Sequence, residues 1–184
     1  ANPSIPQRDI TVLLIEVLKR LKKGKACSDD TLVAEMLLTA NPDLVDAMAE
    51  IFHRLVVGQA MPPEEWRRNR IVVLFKKGDA TLPKNYRPIC IIPVLCKVYS
   101  SILLRLFREK LEPHRTPEEV GFRRGFNAND LVHPLRILGE KGREWKETLW
   151  LASLDLEKAF DKVFHDVVFD ALRFEGVDDE IIAA

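Results

Sequence analysis

An aspartate stands directly after an apolar run in Leu149-Trp150-Leu151-Ala152-Ser153-Leu154-Asp155, and Leu156-Glu157-Lys158-Ala159-Phe160-Asp161 follows it. A run that is apolar on both faces suits a central strand covered on two sides. An ionised carboxylate where such a strand gives out is costly unless something compensates it. A hard cation such as Mg²⁺, bound through carboxylate oxygen, is one compensation. Capping the next turn and pairing with a basic side chain are the others.

Charge is unevenly spread over a chain whose net charge is zero. Residues 66–124 carry 14 Lys and Arg against 5 Asp and Glu, a net of +9, between flanks of −3 and −6. A basic middle between acidic ends suits a chain that grips phosphates, and equally a solvated surface of uneven charge.

Other chemistries find less support. Residues 151–155 have the strand-then-acid look of a P-loop NTPase, but no Gly-x-x-x-x-Gly-Lys-Ser/Thr occurs. Asp155-x-Glu157 echoes a phosphatase nucleophile motif without its remainder. His53, His114, His133 and His165 lack metal or triad spacing and read as surface or satisfied histidines. Cys27, Cys90 and Cys96 form neither a metal pattern nor a disulfide framework. With no signal-like start, they point to a reducing compartment, cytoplasm or nucleus. No apolar run approaches the ~20 residues of a membrane span.

The elements that must position these residues follow from periodicity. Ile10, Leu14, Val17, Leu18 and Leu21 share a helical face. Val12, Leu13 and Ile15 widen it, Asp9 can cap its start, and Lys22, Lys23 and Gly24 mark its end. A short helix is expected over residues 31–39. Asn41-Pro42 then opens a third, with Leu44, Met48, Ile51 and Leu55 as its stripe and Gly58 as its end. Ile71 to Phe75 reads as a strand, Lys76-Lys77-Gly78-Asp79 as a basic turn, and residues 87–92 as an edge partner because of Pro88. Pro93 opens a long helix carrying Leu95, Val98, Ile102 and Leu106, which Pro113 closes. Residues 121–129 are a loop. Residues 131–140 are helical, with a kink or late start at Pro134. A last helix spans residues 165–174 and stops at Gly176.

Asp155-x-x-Lys158-Ala159-Phe160-Asp161 after an apolar strand resembles the first catalytic motif of LINE-type (non-LTR) and group II intron-type reverse transcriptases. Further segments lie upstream in that family's order: Ile71 to Asp79, Asn85-Tyr86-Arg87-Pro88-Ile89 followed by Lys97, and Gly121-Phe122-Arg123-Arg124-Gly125 with Asp130 close behind. Lys25-Ala26 to Asp30 and Met61-Pro62 to Trp66 resemble its N-terminal extension. The resemblance covers nearly the whole chain. It implies an α/β right-hand polymerase with an incomplete palm sheet. Residues 1–65 would be the helical extension, 66–125 the fingers, and 126–184 the start of the palm.

The implied activity is RNA-directed DNA synthesis from a primer 3′-OH, with two Mg²⁺ ions or Mn²⁺ in their place. RNA template, DNA primer and dNTPs are the implied partners, with no membrane and the rest of a retroelement polyprotein in cis. Asp155 and the Leu156 carbonyl would bind metal, and Phe160 would be the steric gate against ribose. Arg87 and one of Lys76 or Lys77 would hold the triphosphate, through a bidentate fork and a point charge respectively. Arg123 and Arg124 would lie near the template.

The chain departs from the family at Cys27-Ser28-Asp29-Asp30-Thr31, where the family has Pro-Gly-x-Asp-Gly. It departs again at Cys90, where the family has serine, and at Pro134. The aromatic-x-Asp-Asp hairpin that would complete the catalytic carboxylates is not found. Asp178-Asp179 lacks the aromatic residue and reads as an acidic helix start. The chain by itself is therefore expected to be inactive, and a non-catalytic RNA-binding remnant is the alternative reading.

Overall fold

Ile10, Leu14, Val17 and Leu18 are buried along one face of α1, Gln7–Leu18, as their spacing predicts. The structure is a computed structural model that describes residues 5–156 and 158–184. Pro6 takes the cap position of α1, so Asp9 falls in the first turn, where an acid favours the positive end of the helix dipole. Val12 and Ile15 do not widen the buried face; they are 50% and 39% exposed, because α1 packs chiefly on one partner, α3.

Helix α2, Ala34–Leu38, starts later than residue 31. Thr31 sits at φ 58°, outside any right-handed helix, and its N–H donates to the Ser28 carbonyl at 3.2 Å. This is the position of the second glycine in the resembling family's pattern. The left-handed turn is thus kept with a β-branched residue in it, which strains the backbone.

Helix α3, Pro42–Val56, is capped as expected: the Asn41 side chain accepts from the Leu44 N–H at 2.9 Å. Its buried face is Met48, Ala49, Phe52, Leu55 and Val56. Leu44 and Ile51, expected on that face, are 45% and 53% exposed. Helix α4, Val94–Leu111, buries Val98, Tyr99 and Ile102. The rings of Phe52 and Tyr99, and of Trp66 and Tyr99, lie with centroids 5.7 Å apart. Each fully buried large apolar side chain contributes about 1.5–3 kcal/mol before entropy is counted. Burial pushes the Tyr99 hydroxyl up to about 12, and it donates to the Ala184 carbonyl at 3.2 Å. The short helix α7, Asp179–Ala183, adds Ile181 to this core, and Asp178 and Asp179 form its acidic start.

The same unit, which runs to Glu109 and takes in Gly176–Ala184, carries a two-stranded antiparallel hairpin. Strand β1, Arg70–Phe75, pairs with β2, Tyr86–Ile91, and Phe75 stands opposite Tyr86. Pro88 faces Val73. Its missing N–H is tolerated because both strands are edges.

The second unit, Lys110–Glu175, holds α5, Asn129–Trp145, and α6, His165–Phe174. Helix α5 starts before Pro134 and continues through it, so the late start does not occur. Its first turn is secured by side chains: the Asp130 carboxylate accepts from the Asn127 N–H at 2.6 Å, and the Asn127 side chain accepts from the Asn129 N–H at 2.8 Å.

The expected central strand at residues 149–154 is not formed. Among the described residues only β1 and β2 pair, while Trp150 and Leu154 are 90% and 94% exposed. A strand must bond its backbone groups to a neighbour, and β propensity supplies no neighbour. None of the described residues of this unit is buried. The mixture of helices with a small sheet agrees with the fold class read from the motifs.

Candidate functional site

Candidate residues fall in both units. In the first, Arg87 lies on β2 opposite Leu74 and is exposed. Directly opposed residues share a face of the sheet, so Arg87 shares its face with Leu74, Val72 and Ile89. Phe75 and Tyr86 occupy the other face, with ring centroids 5.5 Å apart. The ladder continues one step into the basic turn: the Lys76 N–H donates to the Asn85 carbonyl at 2.8 Å. Lys76 and Lys77 are both exposed at the hairpin tip.

The tip has a polar scaffold that charge counting passes over. The Asp79 carboxylate accepts from the Thr81 N–H at 2.8 Å and from the Thr81 hydroxyl at 2.7 Å. These two bonds hold the carboxyl below its ordinary range. Asn85 donates to the Asp79 carbonyl at 2.8 Å, and the Tyr86 hydroxyl donates to the Ala80 carbonyl at 2.9 Å. Gly78 has φ 90°, and a Cβ there would come within 2.9 Å of the Asn85 amide nitrogen. The signal was the Asp79-x-Thr81 pairing, in which a carboxylate can cap the backbone two residues on.

In the second unit, Asp155 and Leu156 end the unpaired apolar run and are exposed. Phe160 begins a 3₁₀ turn, Phe160–Lys162, and is 81% exposed. Its neighbour is Phe122, edge-on.

The two loop arginines differ. Arg123 donates to the Glu112 carboxylate at 2.6 Å and to the Thr116 carbonyl at 3.1 Å, and its guanidinium lies 4.9 Å from the centre of the Phe126 ring. Its side chain is 17% exposed. It builds the loop. Arg124 is exposed. Arg115 braces the same loop by donating to the Glu119 and Gly121 carbonyls at 3.1 and 2.6 Å; sequence reading did not single it out.

The donor chemistry of Asp155 and Leu156 is right for a hard divalent cation, because both offer oxygen. Their number is not sufficient: among the described residues no three His, Cys, Asp or Glu side chains gather as a metal site. Of the histidines, His53 bonds the Ile5 carbonyl at 2.9 Å and His114 lies 3.1 Å from Glu175. The three cysteines are free. No helix among the described residues is long and apolar enough to cross a membrane.

Residues 75–183 match the family described as reverse transcriptase (RNA-dependent DNA polymerase). The chain is 34% identical to the retrovirus-related Pol polyprotein from type-1 retrotransposable element R2 of Popillia japonica, over 64% of this chain and 16% of that protein. It is 25% identical to the probable RNA-directed DNA polymerase from transposon BS of Drosophila melanogaster, over 92% of this chain and 19% of that protein. The RNA-directed DNA polymerase from mobile element jockey, also of Drosophila melanogaster, is 26% identical over 88% of this chain and 18% of its own length. The chain therefore spans less than a fifth of each of these relatives.

Proposed function

The chain belongs to the reverse transcriptase (RNA-dependent DNA polymerase) family, and on that premise we propose that it is part of an RNA-directed DNA polymerase of a non-LTR retrotransposon. The observation that carries this reading is the extent of the family match. Residues 75–183 contain Lys76, Lys77, Arg87, Arg123, Arg124, Asp155, Leu156 and Phe160 in one ordered set. In this reading residues 1–65 are a helical extension, 66–125 the fingers and 126–184 the start of the palm. RNA template, DNA primer and dNTPs are the partners, the rest of a larger polyprotein acts in cis, and the work is done in the nucleus or cytoplasm.

Reverse transcriptases generally use divalent metal ions. Asp155 and the Leu156 carbonyl would hold Mg²⁺, or Mn²⁺ in its place, as two of its ligands, and the other carboxylates would come from elsewhere in the full-length protein. Two such ions, when bound, supply activation of the primer 3′-OH and neutralisation of the pyrophosphate. This chain's own contribution is positioning. Arg87, on a hairpin anchored at its tip by Asp79, Thr81 and Asn85, presents a planar fork to triphosphate oxygens. Lys76 or Lys77 adds a point charge from the tip. Phe160 fills the space a ribose 2′-hydroxyl would need. Arg124 faces the template while Arg123 holds the loop in shape.

A second reading, a non-catalytic RNA-binding remnant, is favoured for the 184 residues acting alone because no three metal-ligating side chains gather among the described residues. The two readings are separated by primer extension on an RNA template with a full-length protein carrying this segment. RNA-templated incorporation of dNTPs, lost in Asp155→Ala, is the expected result. Full activity in that variant would remove Asp155 from the site.

A further inference from the structure

Thr116 is followed by Pro117, and no other serine or threonine of the chain precedes a proline. The pair lies in the second unit, between the 3₁₀ turn Glu112–His114 and the Gly-Phe-Arg loop. Thr116 is exposed, and Arg115 before it is extended, at φ −76° and ψ 133°. The hydroxyls of Thr11, Thr39, Ser100 and Ser101 donate to carbonyls of the preceding helical turn, and that of Thr81 donates to Asp79. Among the described residues the Thr116 hydroxyl has no such partner. A proline brings no N–H, so a kinase cleft with no acceptor at that place takes it and rejects other residues. Only a turn must open for this segment to enter such a cleft: the Glu119 N–H donates to the Thr116 carbonyl at 3.2 Å, with Pro117 at the second position. None of the described residues of this unit is buried, so that opening disturbs no core.

The surroundings suit a phosphate once it is attached. Arg123 donates to the Thr116 carbonyl through Nη1, which brings its guanidinium to the acceptor residue. Arg115 is the residue before it, and its Nη2 is taken by the Glu119 and Gly121 carbonyls. Arg123 Nη2 and Arg115 Nη1 make no hydrogen bond among the described residues. Both guanidiniums are already fixed by the loop, so little further side-chain freedom is lost when they take an anion. A phosphothreonine carries a charge of about −1.5 to −2 and oxygens that a guanidinium fork matches. The carboxylates of Glu112, Glu118 and Glu119 oppose it. Glu112 is held by Arg123 at 2.6 Å, and Glu119 lies 3.7 Å from Arg115. Glu118 is exposed, where water and salt screen its repulsion.

We propose that Thr116 is a phosphorylation site for a proline-directed Ser/Thr kinase, and that Arg115 and Arg123 receive the phosphate. The γ-phosphoryl group of ATP moves to Thr116 Oγ1. A P–O bond forms there, the bond from the γ-phosphorus to the β,γ-bridging oxygen breaks, ADP leaves, and the hydroxyl proton passes to the kinase's base. Residues 115–124 carry three arginines against two glutamates, so the phosphate turns this stretch from net positive to net negative. What that does to a template beside Arg124 rests on the polymerase reading. The acceptor and its two guanidiniums do not, and their test needs no catalysis by this chain.

The experiment incubates the 184-residue chain with ATP, Mg²⁺ and purified proline-directed kinases of the cyclin-dependent and mitogen-activated types, and maps phosphate by mass spectrometry. One phosphate per chain is expected, at Thr116. It should persist in Thr116→Ser and fall roughly tenfold or more in Pro117→Ala. No incorporation with either kinase, phosphate placed elsewhere, or unchanged incorporation in Pro117→Ala would overturn the acceptor. A ³¹P NMR titration then follows the second ionisation of the phosphothreonine, in a His114→Gln background so that the neighbouring histidine cannot move the signal. Two guanidiniums favour the dianion, so its midpoint in the folded chain should lie about half a unit or more below its value in concentrated urea. Arg115→Gln and Arg123→Gln should each return part of that shift and leave incorporation intact. Equal midpoints in the two solvents, or a midpoint that neither variant moves, would remove the arginines from the site. Circular dichroism checks each fold, and Arg115→Gln decides alone if Arg123→Gln unfolds the loop.

Discussion

The ring of Phe122 meets the ring of Phe160 edge-on, with centroids 5.9 Å apart and planes at 85°. Both side chains are otherwise exposed, and Phe122 has a positive φ of 55°, which favours glycine or asparagine over a bulky residue. A strained aromatic residue in the Gly-Phe-Arg loop thus touches the proposed sugar gate, with an edge-to-face contact of about 0.5–1.5 kcal/mol. In a full-length protein, Phe160→Val should leave dNTP use largely intact and raise rNTP incorporation tenfold or more, a change of about 1.4 kcal/mol. Phe122→Ala should raise it by less, because it loosens the gate without removing it. Competition assays with paired dNTP and rNTP check both. Parallel loss of both activities in Phe160→Val would remove it from the site.

The 184-residue chain by itself should give no primer extension with Mg²⁺ or Mn²⁺. Asp155 and the Leu156 carbonyl are too few donors for a two-metal site. Incorporation above a no-enzyme blank, abolished by Asp155→Ala, would contradict this; that variant also excludes a contaminating polymerase.

Thr31 offers a stability test. It occupies a left-handed conformation that costs an L-residue about 1–2 kcal/mol, while glycine carries about 0.5–1 kcal/mol of extra unfolded-state entropy. Thr31→Gly should therefore raise the stability of the N-terminal unit by about 0.5 kcal/mol, and Thr31→Val should not. Urea melts followed by tryptophan fluorescence at Trp66 report on this, because Trp66 packs on Phe52 and Tyr99.

The hairpin tip should respond to acid. The bonds from the Thr81 N–H and hydroxyl depress the folded-state carboxyl of Asp79. Stability from a depressed carboxylate is present above its unfolded value and is lost as pH falls through the folded one. The tip should therefore loosen only on acidification below the ordinary aspartate range. The Thr81 amide resonance should move there, and Asp79→Asn should remove that step. A Thr81 titration near neutral pH would contradict this assignment.

Legibility of the sequence followed the range of the forces involved. The hairpin could be read because β-branched residues, a Gly turn and a second apolar run lie within about twenty residues of each other, a range short enough for local rules to act. The α1 stripe and the Asn41 cap were readable for the same reason. The rotation of the α3 face onto Phe52 was not, because it depends on Tyr99, which is remote in sequence. Residues 149–154 have strand composition, yet pairing needs a partner that composition cannot provide.

The uncharged run at residues 149–154 has a practical side. Six consecutive residues with aromatic and branched members, no proline and no paired neighbour make a self-adhesive segment. Lys146 and Glu147 stand on one side of it and Asp155 on the other, as charges that discourage stacking of copies. Asp155→Ala therefore strips away one such guard along with the proposed metal ligand. Precipitation of that variant would mimic a catalytic defect, so light scattering belongs beside every assay of it. Asp155→Glu, which keeps the charge and moves the oxygens, gives the cleaner reading of chemistry.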